Sequence, residues 1–252
     1  MALFFKRIRH KLLNSKRFGK YTLYAIGEVL ILIFGIAIAV QVNNWDQRRR
    51  NRTLEINILK SIKEDLHSDL NDLQFGIDLH TEGNASAEII LNHLENNLPY
   101  DDSLGYHFLA ANYFTYLGYS RGGIESLRSL GVNTITNEKL RSQIITLYDM
   151  NYVHMLYLSD QSKNKNGYAI QNLFISRFDQ GEYFDDPNTE NPYDGSMIPL
   201  DYEALKKDTE YIYYVKTYRN GIDYYLNECY TTKTAITQLI KDIEEELNSL
   251  EQ

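Results

Sequence analysis

Twenty-two consecutive residues, Tyr21 to Val42 (YTLYAIGEVLILIFGIAIAVQV), carry a single charge, Glu28. At about 1.5 Å of helical rise per residue, such a run covers the roughly 30 Å hydrocarbon core of a bilayer. Val29 to Val40 shows no polar face, unlike a helix packed on a soluble core. The run predicts one transmembrane helix, 21–42. It leaves a basic leader at 1–20 and an acidic, helix-forming region at 43–252.

A cleaved signal peptide is the rival reading, and Ala37-Ile38-Ala39 supplies a small-x-small site. The run is longer than the usual ~7–15-residue apolar region. It also contains an acid, and the stop-transfer-like NNWDQRRR follows at once, which favours a permanent anchor.

Seven basic residues precede the span (Lys6, Arg7, Arg9, Lys11, Lys16, Arg17, Lys20), against five beyond it (Arg48, Arg49, Arg50, Arg52, Lys60). The positive-inside rule then puts the N-terminus in the cytoplasm, the span in the inner membrane and the large domain in the periplasm. Tyr21, Tyr24 and Trp45 suit the two interfacial aromatic belts. In the leader, Phe5, Ile8 and Leu12 recur at helical spacing among basic residues. That pattern reads either as a helix lying on the anionic inner leaflet or as a plain topology signal.

Glu28 lies within the span, about 10 Å from its start. An acid at that depth either pairs with a polar group of another subunit or snorkels without further function. Gly35 and Ala39 form a small-xxx-small pair that lets a second helix approach closely. Glu28, Gly35 and Ala39 are thus the candidate partner contacts within the membrane.

Beyond the span, 33 acidic residues face 19 basic ones. Such a surface repels phosphate backbones, so nucleic-acid binding is excluded. Leu59, Ile62, Leu66, Leu70, Leu73 and Ile77 repeat with the 3.6 period of an amphipathic helix, predicting a stalk helix over 43–80. Gly83-Asn84 is expected to interrupt it. A second helix is expected from Ser103 through Leu117, a short one over Ile124–Leu130 ending at Gly131, and another starting at Thr136 as N-cap, weakened near Asn164–Gly167.

Residues 181–200 hold three of the four prolines and read as one long loop. The closing helix, 201–249, carries the seam Ile236, Ile240, Ile243, Leu247, Leu250, which also takes in Cys229 and needs a covering helix. Antiparallel packing on the stalk supplies one. Tyr211, Tyr214, Tyr218 and Tyr225 share one face of this helix. They read as an interaction surface or sugar-stacking groove, or as the edge of a bundle with wet hydroxyls.

The run from Lys20 to Gln47, with Tyr24-Ala25-Ile26-Gly27-Glu28 and Asn43-Asn44-Trp45 as its recognisable pieces, resembles a family of uncharacterised single-pass membrane proteins of Bacteroidota. Gly123-Ile124-Glu125-Ser126-Leu127, Asn137-Glu138-Lys139-Leu140 and the amphipathic Ile236–Leu250 are similar to its later part. The resemblance implies a domain of unknown function and no catalytic residue.

No zinc-protease, nucleotide-binding or nucleophile-elbow motif is present, the histidines at 67, 80, 93 and 107 share no helix face, and the EF-hand spacing is unmet. The sequence therefore predicts an all-α protein: one N-terminal transmembrane helix followed by an elongated extracytoplasmic helical bundle with a stalk helix. It has no catalytic, cofactor or metal site. Its expected role is a non-enzymatic scaffold or accessory module of the bacterial cell envelope, with the bilayer and a protein partner or second copy as partners. A sensor-like domain binding a small ligand is the alternative.

Overall fold

A computed structural model describes residues 16–113, 115–183 and 195–251. The leader pattern at Phe5, Ile8 and Leu12 lies outside the described residues, as does the centre of the 181–200 segment. The chain forms two compact units, Met1–Leu54 and Glu55–Gln252, and helix α1 (Lys16–Glu95) contributes to both.

In the first unit α1 is long and apolar enough to cross a membrane, and its large apolar side chains, from Ile26 through Val42, are all exposed. Beyond them the polar groups satisfy one another along the helix: Arg50 pairs with Asp46 at 2.5 Å, and Thr53 Oγ1 donates to the Arg49 carbonyl at 3.0 Å.

The second unit is all-α apart from one small hairpin. After α1 come α2 (Leu104–Ala110), α3 (Gly122–Leu130), α4 (Glu138–Thr146), a π-helical turn (Leu147–Asn151) and α5 (Tyr152–Asn172). Antiparallel strands β1 (Phe178–Tyr183) and β2 (Gly195–Pro199) precede α6 (Tyr202–Leu205) and the long α7 (Thr209–Leu250).

The α1 stripe and the α7 seam cover each other. Leu59, Ile62, Leu66, Leu73 and Ile77 share one core with Cys229, Ile236, Ile240, Ile243 and Leu247. Burying each such aliphatic side chain stabilises by about 1.5–3 kcal/mol. Lys60 pairs with Glu251 at 2.7 Å and Lys216 with Glu95 at 2.5 Å, so the two helices run antiparallel. A second core joins Ile90, Leu91 and Leu94 of α1 to Phe108, Phe174, Phe178, Tyr211 and Val215.

Several local expectations change. Gly83 does not break α1; a Cβ there would stand 2.6 Å from the Tyr218 hydroxyl and 2.9 Å from the Ala110 carbonyl, so glycine permits close packing. The helix ends instead at Glu95. Asn97 adopts φ 54°, and the Leu98 amide reaches back to the His93 carbonyl at 3.0 Å, a Schellman-type closure. Thr136 is not the cap of α4. Asn137 caps it, accepting from the Leu140 amide, while Thr136 turns to Glu55. The stretch expected to weaken the helix, 164–167, lies within the continuous α5, and a π turn interrupts the regular α-helix earlier, at 147–151. The 181–200 stretch read as a loop contributes to both strands, and Asp208 starts α7 later than residue 201 by accepting from the Glu210 and Tyr211 amides.

Candidate functional site

The helix expected over 103–117 stops at Ala110, and side chains from other helices hold the segment that follows. Tyr214 Oη donates to Asn112 Oδ1 at 2.8 Å, Tyr218 Oη to the Tyr113 carbonyl at 3.2 Å, and Asn166 Nδ2 to the Asn112 carbonyl. Further on, Asp69 of α1 accepts from the Ser120 amide and Asp65 from the Gly123 amide, each at 2.7 Å. Glu55 accepts from the Thr136 amide at 2.6 Å. These three acids stand between the apolar residues of the α1 stripe in the sequence and act as inward anchors for irregular backbone.

A groove of about 620 Å³ lies between α5 and α7. From α5 come Leu158, Gln161, Lys165 and Tyr168, spaced three, four and three residues apart on one face. From α7 come Tyr213, Tyr214, Thr217, Tyr218, Tyr224 and Tyr225. Tyr113 completes the aromatic wall.

Most ring hydroxyls are engaged within the protein. Besides Tyr214 and Tyr218, Tyr225 Oη lies 3.4 Å from Ser159 Oγ and Tyr224 Oη 3.3 Å from His154 Nε2. Burial raises the Tyr214 and Tyr218 hydroxyls well above the usual phenol range and pushes Tyr225 up to about 12, so all three stay neutral.

Of the four tyrosines named from sequence, Tyr214, Tyr218 and Tyr225 line the groove. Tyr211 does not: it packs against Phe108, Phe174 and Phe178 in the second core. The α5 half of the wall is the part that the tyrosine pattern of α7 does not indicate; its signal is the spacing of Leu158, Gln161, Lys165 and Tyr168.

Behind Tyr225 lies His80, 1 % exposed, with its ring edge-on to the phenol at 4.7 Å and Nε2 3.1 Å from Thr115 Oγ1. Desolvation lowers its pKa to about 4, so the imidazole is neutral. Cys229 is fully buried and its thiol is pushed up to about 12, again by burial, which makes it an inert core residue. Among the described residues no three His, Cys, Asp or Glu side chains stand together as metal ligands.

In the first unit, Glu28, Gly35 and Ala39 lie on one uninterrupted helix. Their separations of seven and four residues turn them to within roughly 40° of a common face. Glu28 and Ala39 are exposed, and a Cβ at Gly35 would meet nothing within 4 Å.

These features define an all-α protein with one helix long and apolar enough to cross a membrane and a helical unit bearing an aromatic groove. The chain belongs to a family of unknown function, DUF6090, whose match spans residues 28–185. That match includes Glu28, the three anchoring acids and the α5 wall, and it stops short of α7. No curated protein and no solved structure matches the chain.

Proposed function

We propose that this protein is a non-enzymatic, membrane-anchored accessory subunit of the bacterial cell envelope, held in the inner membrane with its N-terminus cytoplasmic and its helical domain periplasmic. A Bacteroidota origin belongs to this reading and rests on the resemblance of the membrane segment. The observation that carries the proposal is the common face of Glu28, Gly35 and Ala39. An acid set in an apolar helix above two small residues suits close approach by a partner helix that supplies a polar or basic group. The partner is another envelope protein or a second copy of this chain, and the acidic domain disfavours nucleic acid.

The test is affinity purification of the full-length chain from membranes in a mild detergent. The wild type is expected with a companion or as an oligomer, and Glu28→Leu is expected to insert normally yet lose most of that association. Recovery of the wild type as free monomer would refute the proposal.

A second reading, a sensor-like domain that binds a small ligand, is favoured by the groove between α5 and α7. Its volume falls within the roughly 300–1,000 Å³ of ligand pockets.

A further inference from the structure

We infer that the groove between α5 and α7 is a saccharide site whose ligand is a neutral oligosaccharide of two or three sugar units. The inference rests on the second reading above, that the helical domain takes a ligand.

Three features of the wall select this chemistry. The first is the kind of apolar surface: among the described residues it is mostly phenol rings, with only Leu158, Leu173 and Ile222 as aliphatic members. The hydroxyls of Tyr214, Tyr218, Tyr224 and Tyr225 each meet a partner within the protein, which leaves ring carbon as the apolar surface offered to a ligand. The axial C–H groups of a pyranose form a flat apolar patch that packs on such a ring, whereas an acyl chain calls for aliphatic walls.

The second is the kind of polar group. Gln161, Ser162, Asn164 and Thr217 border the groove and make no side-chain hydrogen bond to the described residues. Amides and hydroxyls each donate and accept, which matches the neighbouring hydroxyls of a sugar ring.

The third is charge. Lys165 and Glu210 are the only ionic side chains among the described residues of the lining and they are opposite in sign, so the lining carries no net charge. An ionic ligand therefore finds no excess of countercharge. The volume, about 620 Å³, takes a ligand of di- or trisaccharide size.

The experiment is calorimetric titration of the full-length protein in nanodiscs with cellotriose, maltotriose and triacetylchitotriose, and separately with 4-nitrophenol as a flat apolar probe. At least one trisaccharide is expected to bind saturably, one per chain. Tyr168 and Tyr213 project at 61 % and 71 % exposure, so replacing them leaves the fold intact. Tyr168→Ala and Tyr213→Ala are each expected to weaken the sugar at least about tenfold, while Tyr213→Phe keeps it, the signature of stacking. Gln161→Leu is expected to weaken it as well.

Equal affinity in the alanine variants would overturn the inference. Binding of 4-nitrophenol without any sugar, lost in Tyr213→Ala, would overturn the saccharide assignment and leave a ligand site of another class. Binding of neither probe would overturn both.

Discussion

The Tyr152 hydroxyl donates to Asp69 Oδ2 at 2.6 Å in the interior of the second unit, where Oδ1 of the same carboxylate takes the Ser120 amide. Around this pair Tyr119 stacks on Tyr152 at 4.6 Å, and Tyr148 meets Tyr152 edge-on at 5.2 Å. The carboxylate thus ties α1, α5 and the backbone leading into α3 together.

Removing that carboxylate strands the buried Tyr152 hydroxyl and the half-buried Ser120 amide, so Asp69→Ala is expected to lower the unfolding free energy by roughly 2–5 kcal/mol, and Tyr152→Phe by about 1–3 kcal/mol. Urea denaturation followed by circular dichroism in nanodiscs measures both. Burial raises the pKa of Asp69 in the folded state, against the lowering hydrogen bonds from Tyr152 and Ser120. A raised folded pKa means that its contribution to stability is full below the unfolded value, near 3.8, and is lost as pH rises through the folded one. Asp69→Asn does not titrate, so the mutant is expected to lack this acid-side gain and to lose stability more steeply as pH falls toward 4.

Gly123 approaches α1 so closely that an added Cβ would stand 2.8 Å from the Ile62 amide nitrogen and 2.9 Å from its Cα. Backbone cannot move aside cheaply, so Gly123→Ala is expected to destabilise by about 1–3 kcal/mol even though alanine is the better helix former. Its neighbour is the control. At Gly122 a Cβ would meet only the Asp65 carboxylate at 3.8 Å, an ordinary contact, and Gly122→Ala is expected to be neutral or slightly stabilising. Paired thermal melts of the two variants check the contrast.

Asp208 caps α7 through two amides at 3.0 Å and also takes Arg177 Nε at 2.6 Å. Asp208→Ala removes a cap and a charge-assisted bond and is expected to cost roughly 2–4 kcal/mol, whereas Asp208→Asn keeps the cap and costs less. Arg177 first, and then the two amides, hold the Asp208 carboxyl below its usual range against the opposing effect of burial. Its contribution is therefore present above pH 3.8 and lost as pH falls through the folded value. Denaturation of Arg177→Met at pH 7 and pH 3 is expected to differ from wild type mainly at the higher pH.

What could be read in the sequence was whatever repeats along one element. The stripe from Leu59 to Ile77 and the seam from Ile236 to Leu247 fixed both long helices and their pairing, because burial on one face leaves a 3.6-residue signature. Contacts between elements leave no such signature. Glu55, Asp65 and Asp69 look like the solvated face of a helix until α3, α4 and the irregular backbone around them are in place. Tyr211 and Tyr214 are three residues apart and share a face by spacing, yet one enters the Phe108 core and the other walls the groove, because β1 and α2 cover only the N-terminal end of α7. The hairpin leaves no sequence signature, because residues 178–183 and 195–199 show no alternation of apolar and polar side chains.

His80 offers the most direct check on the packing behind the groove. The imidazole is 1 % exposed, Nε2 faces the Thr115 hydroxyl, and Nδ1 has no hydrogen-bond partner among the described residues. A proton added to this buried ring would find no acceptor at Nδ1, and burial lowers the folded pKa from 6.5 to about 4. The unfolded chain protonates near pH 6.5 and the folded one does not, so the neutral histidine contributes fully above pH 6.5. That contribution is lost as pH falls, at about 1.4 kcal/mol for each pH step of one, and the loss reaches roughly 3 kcal/mol near pH 4. His80→Gln does not titrate and is expected to flatten the stability profile between pH 6.5 and 4, while starting below wild type at neutral pH because the edge contact with Tyr225 is gone. Urea titrations of both proteins at closely spaced pH values across that range measure the slope. Parallel profiles for mutant and wild type would mean that His80 is already hydrated in the folded state, and that the floor beneath Tyr225 is open to water.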